Sequence, residues 1–345
     1  MVHVAEKGPP AASERTTGHS TVLSSASGLG SADMGHLFTE QKRRIYRLDV
    51  LIAVSLAAAV PATTAPAAPS AAPVPDLSGI WVHSALGFES PVSGPGPVTN
   101  KSRLPSGAGN FDKLVGDYES PILKPNAAEV VKRMGEISLS SKAFPDPDNQ
   151  CLLNPVPYIF WNFDIQLLQQ KDKVTIVYQH DEDFRFVRLN QPHPARVTPT
   201  IHGDSVGHYE GDTLVIDTVG VKLRKNATMV DRFGTPFTEA LHVVERYKLI
   251  DYEDAKAAQE RAAKEWPRAG DASDPNYRGK GLQLEFTVED PGVFTIPWKA
   301  MITYLKARRT EWEERICAEN VEHDYTGHYY SDPDAHLPTA QKADF

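Results

Sequence analysis

Residues 205–218, SVGHYEGDTLVIDT, decide the fold class of this chain of 345 residues. Two strand-like segments, 205–209 and 213–218, flank the turn Glu210-Gly211-Asp212. Because glycine readily adopts the positive φ that a tight turn needs, the stretch predicts an antiparallel β-hairpin. We therefore expect a sheet in which strands that follow one another along the chain are paired.

Short segments with a period of two continue on both sides of this hairpin. They predict strands at 165–169, 174–180, 184–189, 241–250, 282–289 and 294–305, and helices at 126–134 and 252–270. Strand and helix do not alternate, which disfavours a parallel, doubly wound sheet. A sheet with many strands must protect its edges, and closure does so. We expect a mostly antiparallel, barrel-like sheet of the calycin or lipocalin kind, with about eight or more strands and one or two peripheral helices. A two-sheet β-sandwich is the alternative.

The N-terminal part of the chain has the composition of an export signal. Basic residues at 42–44 and 47 precede the apolar stretch 51–60, and small residues with Ala-x-Ala character follow. We expect translation to begin at Met34, with 1–33 a disordered or non-native extension and 34–75 a signal peptide and an Ala/Pro-rich linker. A single β domain at 76–322 and a C-terminal tail at 323–345 would follow. This organisation predicts a periplasmic or secreted protein that meets the membrane only transiently; a membrane-anchoring leader is the alternative.

Charge and cysteine content narrow the partners and the compartment. The net charge of −9 comes from 45 acidic and 36 basic residues, and it argues against a nucleic-acid partner. Only Cys151 and Cys317 occur. In an exported chain this pair predicts one disulfide, with two buried thiols as the alternative.

Several longer strings resemble one family. They are Asp76-Leu77-Ser78-Gly79-Ile80-Trp81, Gln191-Pro192-His193-Pro194, residues 207–218, residues 241–247, Asp290-Pro291-Gly292, Pro297-Trp298 and Cys317-Ala318-Glu319-Asn320. Together they are similar to a large family of secreted bacterial proteins of uncharacterised function, over residues 76–320. The resemblance implies export but no particular chemistry.

The chain departs from the pattern of that family at four positions. Asp204 stands where the family pattern has His, Tyr209 where it has Trp, Gln191 where it has Arg, and Phe237 where it has His. These differences suggest a divergent, specialised member.

Glu245 is the leading candidate for acid–base chemistry. In the predicted strand 241–250, alternation places Glu245 on an otherwise apolar face with Val243 and Tyr247. Burial raises the pKa of a carboxyl group toward values useful for proton transfer. The alternative is a structural ion pair with Arg185 or Arg188.

Further candidates complete a hypothetical site. His202 and Asp204 would share one face of an extended segment, and with Tyr178 they are proposed proton-transfer groups. Arg185 and Arg188 would hold an oxygenated or anionic substrate. The aromatic residues Trp161, Trp298 and Tyr304 would line a cavity. No compact metal-ligand motif and no Gly-rich phosphate loop is present in the sequence, so neither a metal nor a cofactor is expected.

Two function classes follow from these features. The first is an exported, cofactor-independent enzyme of the lyase, isomerase, hydratase or cyclase type, acting on a small aromatic or apolar molecule in a barrel cavity. The second is a lipocalin-like small-molecule-binding protein without catalysis. A surface or interaction protein without a cavity is a third possibility. A His facing Glu245 across one cavity would favour the enzyme.

Overall fold

A computed structural model describes residues 74–83, 87–140, 145–161, 164–179, 183–225, 227–266, 273–312 and 316. The predicted extension, nearly all of the predicted signal and linker, the predicted tail and Cys317 lie outside these residues. The predicted disulfide between Cys151 and Cys317 therefore stays a prediction.

The described residues form a closed barrel of nine strands in chain order. The strands are β1 Gly79–Val82, β2 Ile165–Gln169, β3 Lys173–Tyr178, β4 Asp183–Leu189, β5 Asp204–Glu210, β6 Thr213–Val219, β7 His242–Ile250, β8 Gly281–Glu289 and β9 Trp298–Lys306. Closure comes from the pairing of β9 with β1. The predicted barrel is confirmed, and the sandwich alternative is not what forms.

Pairing is antiparallel around the barrel except between β4 and β5, which run parallel. The β5–β6 hairpin has the predicted turn, with Glu210 opposite Thr213 and Gly211 at a φ of 61°. β9 begins at Trp298, later than the sequence pattern suggested. The residues before β9 form a turn that begins at Asp290, whose carbonyl accepts hydrogen bonds from the N–H groups of Val293 and Phe294.

Alternation along each strand separates a filled interior from the outer surface. On β7, Val243, Glu245 and Tyr247 are fully buried, whereas Arg246 and Lys248 are not. Glu245 therefore lies on the inner face, as the alternation predicts. It pairs in register with Ile216 of β6 and Phe286 of β8.

Within the described residues two α-helices lie outside the sheet, α1 at Pro125–Leu139 and α2 at Tyr252–Glu265, and α2 packs against β8 and β9. Pro125 starts α1, where its missing N–H costs nothing. Gln259 of α2 donates from Nε2 to the carbonyls of Val82 and Thr303, both at 3.0 Å. These bonds hold α2 against β1 and β9. Among the described residues, no helix is both long and apolar enough to cross a membrane.

Candidate functional site

Glu245 forms a buried ion pair with Arg185 inside the barrel. Arg185 Nη2 donates to Glu245 Oε2 at 2.5 Å, and the two side chains are 2% and 0% exposed. The hydroxyl of Tyr247 donates to the same carboxylate oxygen at 3.2 Å, and Thr218 Oγ1 donates to the other at 3.5 Å. The carboxylate is thus held by one cation and two hydroxyl groups.

The guanidinium of Arg185 packs against aromatic rings on its other sides. Its central carbon lies 5.5 Å from the ring centroid of Phe160 and 6.0 Å from that of Tyr178. Nε and Nη1 have no hydrogen-bond partner in the part of the chain that the structure describes. Attraction between the cation and the ring faces offsets part of the cost of burying these two N–H groups.

The electrostatics of this cluster keep Arg185 charged and the neighbouring phenols neutral. Burial lowers the pKa of Arg185, but the carboxylate of Glu245 and the hydroxyl groups of Tyr178 and Tyr247 together raise it above its usual value. Burial raises the pKa of Tyr178, although Arg185 opposes the shift. Burial also raises the pKa of Tyr247 and of Tyr304 well above the usual value. The phenols therefore stay neutral beside a fixed cation.

Four of the residues predicted from the sequence thus converge in the barrel: Glu245, Tyr178, Arg185 and Tyr304. The recorded hydrogen bonds of the Glu245 carboxylate involve Arg185, Tyr247 and Thr218 and no histidine. The geometry favours the structural alternative, a buried carboxylate paired with Arg185, because the two opposite charges are enclosed and in direct contact.

His202, Asp204 and Arg188 do not join this cluster. Gly203 has a φ of 73°, so residues 202–204 are not extended and the predicted shared face is wrong. His202 Nε2 lies 3.5 Å from Asp183. Arg188 lies on the outer face of β4 because it is three residues from Arg185, and it donates two hydrogen bonds to Asp204, at 2.7 and 3.0 Å.

Asp204 belongs to a chain of hydrogen bonds on the outer face. His193 Nδ1 lies 2.6 Å from Asp204, and its Nε2 lies 3.0 Å from Asp217. His242 Nε2 lies 3.0 Å from the other oxygen of Asp217. Because His193 belongs to the connection between β4 and β5, this chain ties the crossover to β5, β6 and β7. In the part of the chain that the structure describes, no group of three or more His, Cys, Asp or Glu side chains is arranged to hold a metal ion.

A cleft of about 380 Å³ lies at one end of the barrel. Its aromatic floor is formed by Phe88, Trp161, Phe233 and Trp266. The ring centroid of Phe88 is 5.1 Å from that of Trp161 and 4.9 Å from that of Phe286, an inward-facing residue. Phe88 and Trp161 thus separate the cleft from the barrel interior. Of the predicted aromatic lining residues, Trp161 lines this cleft, and Trp298 packs beneath it against Phe88 and Phe286.

The walls of the cleft come from α2 and from the loop that follows β1. Asn100 lines it, but its side chain already bonds the backbone of Asn110, Ser102 and Val115 and so orders the loop. At the rim Arg103 forms an ion pair with Glu265. These residues shape the cleft, but their polar atoms already form hydrogen bonds or ion pairs within the protein.

Glu89 is an ionisable residue of the cleft that the sequence analysis did not identify. Its backbone is fixed by two hydrogen bonds with Met301 of β9, both 2.9 Å long. Its carboxylate, which lines the cleft, makes no hydrogen bond or ion pair among the described residues. Burial raises the pKa of Glu89 to about 7, although Arg261 opposes the shift. A loop rich in Gly, Pro and Ser has no periodic pattern from which the burial of Glu89 could be inferred.

Comparisons of this chain with family models, curated proteins and solved structures found no match.

Proposed function

We propose that this protein binds a small organic molecule, mainly aromatic or apolar, in the cleft at the barrel end. The supporting observation is the cleft of about 380 Å³ with its aromatic floor and the carboxylate of Glu89, which makes no hydrogen bond or ion pair within the described part of the chain. Ligand sites are typically concave, mostly apolar and furnished with a few polar groups. The barrel would serve as a rigid support for the floor, as in a lipocalin-like binding protein, with the ligand over the barrel end.

Filling the cleft from α2 tests this proposal. Ala262 lines the cleft and is buried, whereas Ala257 lies on the exposed face of the same helix. Ala262→Phe is expected to abolish binding of 2-naphthylmethanol, a neutral aromatic probe, because the new ring occupies the cleft. Ala257→Phe is the matched control and should bind as the unmodified protein does. Binding is measured by ligand-observed NMR, with thermal midpoints showing that both variants fold.

Binding that survives Ala262→Phe, or a probe that fails to bind the unmodified protein, would contradict a ligand site in this cleft.

Acid–base catalysis on the bound molecule, of lyase or isomerase type and without a cofactor, is the second candidate function. It is favoured by Glu89, because a carboxyl group with a pKa of about 7 can accept and return a proton near neutral pH. Glu245, the original candidate, is enclosed with Arg185. The catalytic role is accordingly proposed for Glu89.

Proton exchange tests this second function. In D₂O, 2-acetonaphthone should exchange its α-protons faster with the protein than without it. The protein-dependent rate should rise with pH around 7, because the ionised carboxylate is the base. Glu89→Gln should remove that rate, while Glu129→Gln, the same change at an exposed position of α1, should not. Equal rates for all three proteins would dismiss catalysis and leave binding.

We also propose that the chain is exported and that it is a divergent member of the secreted family it resembles. The basic and apolar segments before residue 61 and the motif strings support this. N-terminal sequencing of the protein from cell fractions tests export. A start among the small residues at 57–75, found outside the cytoplasm, is expected; an intact Met34 in the cytoplasm would contradict it.

A further inference from the structure

We infer that the ligand of the cleft is an organic cation, a small aromatic molecule that carries a protonated amine which Glu89 binds. This inference rests on the proposed function and specifies the class of ligand.

The first support is the state of Glu89. Its main chain is fixed to β9 by the two hydrogen bonds to Met301, so the side chain is held at the cleft. The carboxylate is partly removed from water and has no hydrogen-bonded or ion-paired partner among the described residues. An ionised carboxylate in this position has Arg261 in its surroundings but no bonded cation, and a cation from the ligand would bond it directly.

The aromatic floor is the second support. Trp161 packs edge-on against Trp266 and Phe233, with centroid distances of 5.5 and 5.6 Å, so the floor is a continuous group of rings. Aromatic faces attract ammonium groups, tryptophan most strongly, and they also stack with an aromatic ligand. An aromatic amine satisfies the rings and the carboxylate together.

The other charged groups at the cleft leave room for a cation. Arg103 and Glu265 form an ion pair with each other at the rim, so their charges cancel. Arg261, on the exposed side of α2, favours the ionised form of Glu89 and balances part of its charge. The remaining polar lining residues, Ser90, Thr99 and Asn100, carry no charge. Whether the cleft prefers a cation or an anion therefore depends on which of Glu89 and Arg261 interacts more strongly with the ligand. Glu89 is half-buried and Arg261 is exposed, so water screens the charge of Glu89 less.

A matched series of three probes tests the inference. 2-Naphthylmethylamine is protonated, 2-naphthylmethanol is its neutral counterpart, and 2-naphthoate is the anion. At pH 8 the amine should bind at least tenfold more tightly than the alcohol. Because Glu89 must be ionised to hold the amine, its affinity should fall about tenfold between pH 8 and pH 6. The affinity of the alcohol should stay nearly constant.

Two variants locate the effect. Glu89→Gln should bring the amine to the affinity of the alcohol and remove the pH dependence, without changing the alcohol. Glu129→Gln, which makes the same change of charge on the exposed side of α1, should behave as the unmodified protein. Thermal midpoints verify that both variants fold.

Each other outcome overturns the inference. Equal affinities for amine and alcohol would dismiss the cation but leave the proposed function standing, because the neutral probe still binds. Tightest binding of the naphthoate would assign the site to anions through Arg261. A preference for the amine that persists in Glu89→Gln would show that another group binds it. Binding of none of the three probes would end both the inference and the proposed function.

Discussion

At the scale of single residues, two carboxyl groups have opposite environments. Glu245 is fully buried and balanced by Arg185 at 2.5 Å. Glu89 is partly buried, lines a cleft and has no bonded partner among the described residues. The first arrangement stabilises a fold, and the second leaves a carboxylate available to a ligand.

Replacing Glu245 tests the structural role of the buried pair. Glu245→Gln removes one charge and leaves Arg185 charged in the barrel interior, so the free energy of unfolding should fall by about 3–5 kcal/mol. Glu129→Gln, at an exposed position of α1, should change it by less than about 0.5 kcal/mol. Urea denaturation measures both. A Glu245→Gln variant as stable as the control would show that the pair contributes little.

The environment of one of these two carboxyl groups could be predicted in part from the sequence. Alternation along β7 identifies the face of Glu245, because a strand has only two faces. The sequence does not decide whether Arg185 or Arg188 is the ion-pair partner of Glu245, because that depends on which face of β4 points into the barrel. Glu89 escapes prediction altogether, because its burial depends on α2 and Trp161, which are distant in sequence.

At the scale of elements, the outer chain of His193, Asp204, Asp217 and His242 joins the β4–β5 crossover to the sheet. Predicting it requires knowing that residues 202–204 turn at Gly203, which local alternation does not reveal. The hydrogen bond that His242 donates to Asp217 raises the pKa of His242, although burial opposes the shift. His242 chiefly lowers the pKa of Asp217 in return.

This outer chain predicts a pH dependence of stability with a definite sign. Because the pKa of His242 is higher in the folded state, its stabilisation is complete below the unfolded pKa of about 6.5 and is lost as pH rises through the folded pKa. The stability difference between the unmodified protein and His242→Gln should shrink by roughly 0.5 kcal/mol from pH 5.5 to pH 9. Both pH values lie above the range in which the carboxylate of Asp217 gains a proton.

Chemical denaturation at the two pH values measures this difference. A stability difference that stays constant, or that grows toward pH 9, would contradict the assignment of the pair.

At the scale of the whole molecule, the barrel could be predicted because its hairpins are local. Residues 205–218 define one pair of strands, and the period of two continues through β7 and β8. The parallel contact between β4 and β5 could not be predicted in the same way, since a crossover leaves no turn signature. The cleft likewise forms only when α2 and the loop after β1 meet over the barrel end.

The predicted disulfide would affect the stability of the whole molecule, because it would link distant parts of the chain. If Cys151 and Cys317 are bonded, thiol titration of the unreduced, denatured protein should detect no free thiol. Cys151→Ser should then lower the free energy of unfolding by up to about 5 kcal/mol, since the closed loop is long. Two titratable thiols in the unreduced protein would refute the bond.

The structure of the complex with 2-naphthylmethanol will show whether the ligand binds in the cleft over the barrel end. Its rings are expected within about 4 Å of Trp161 and Trp266, beside Glu89, with the pair of Arg185 and Glu245 unchanged. Ligand found inside the barrel against Arg185 and Glu245, with the cleft unoccupied, would contradict binding in the cleft.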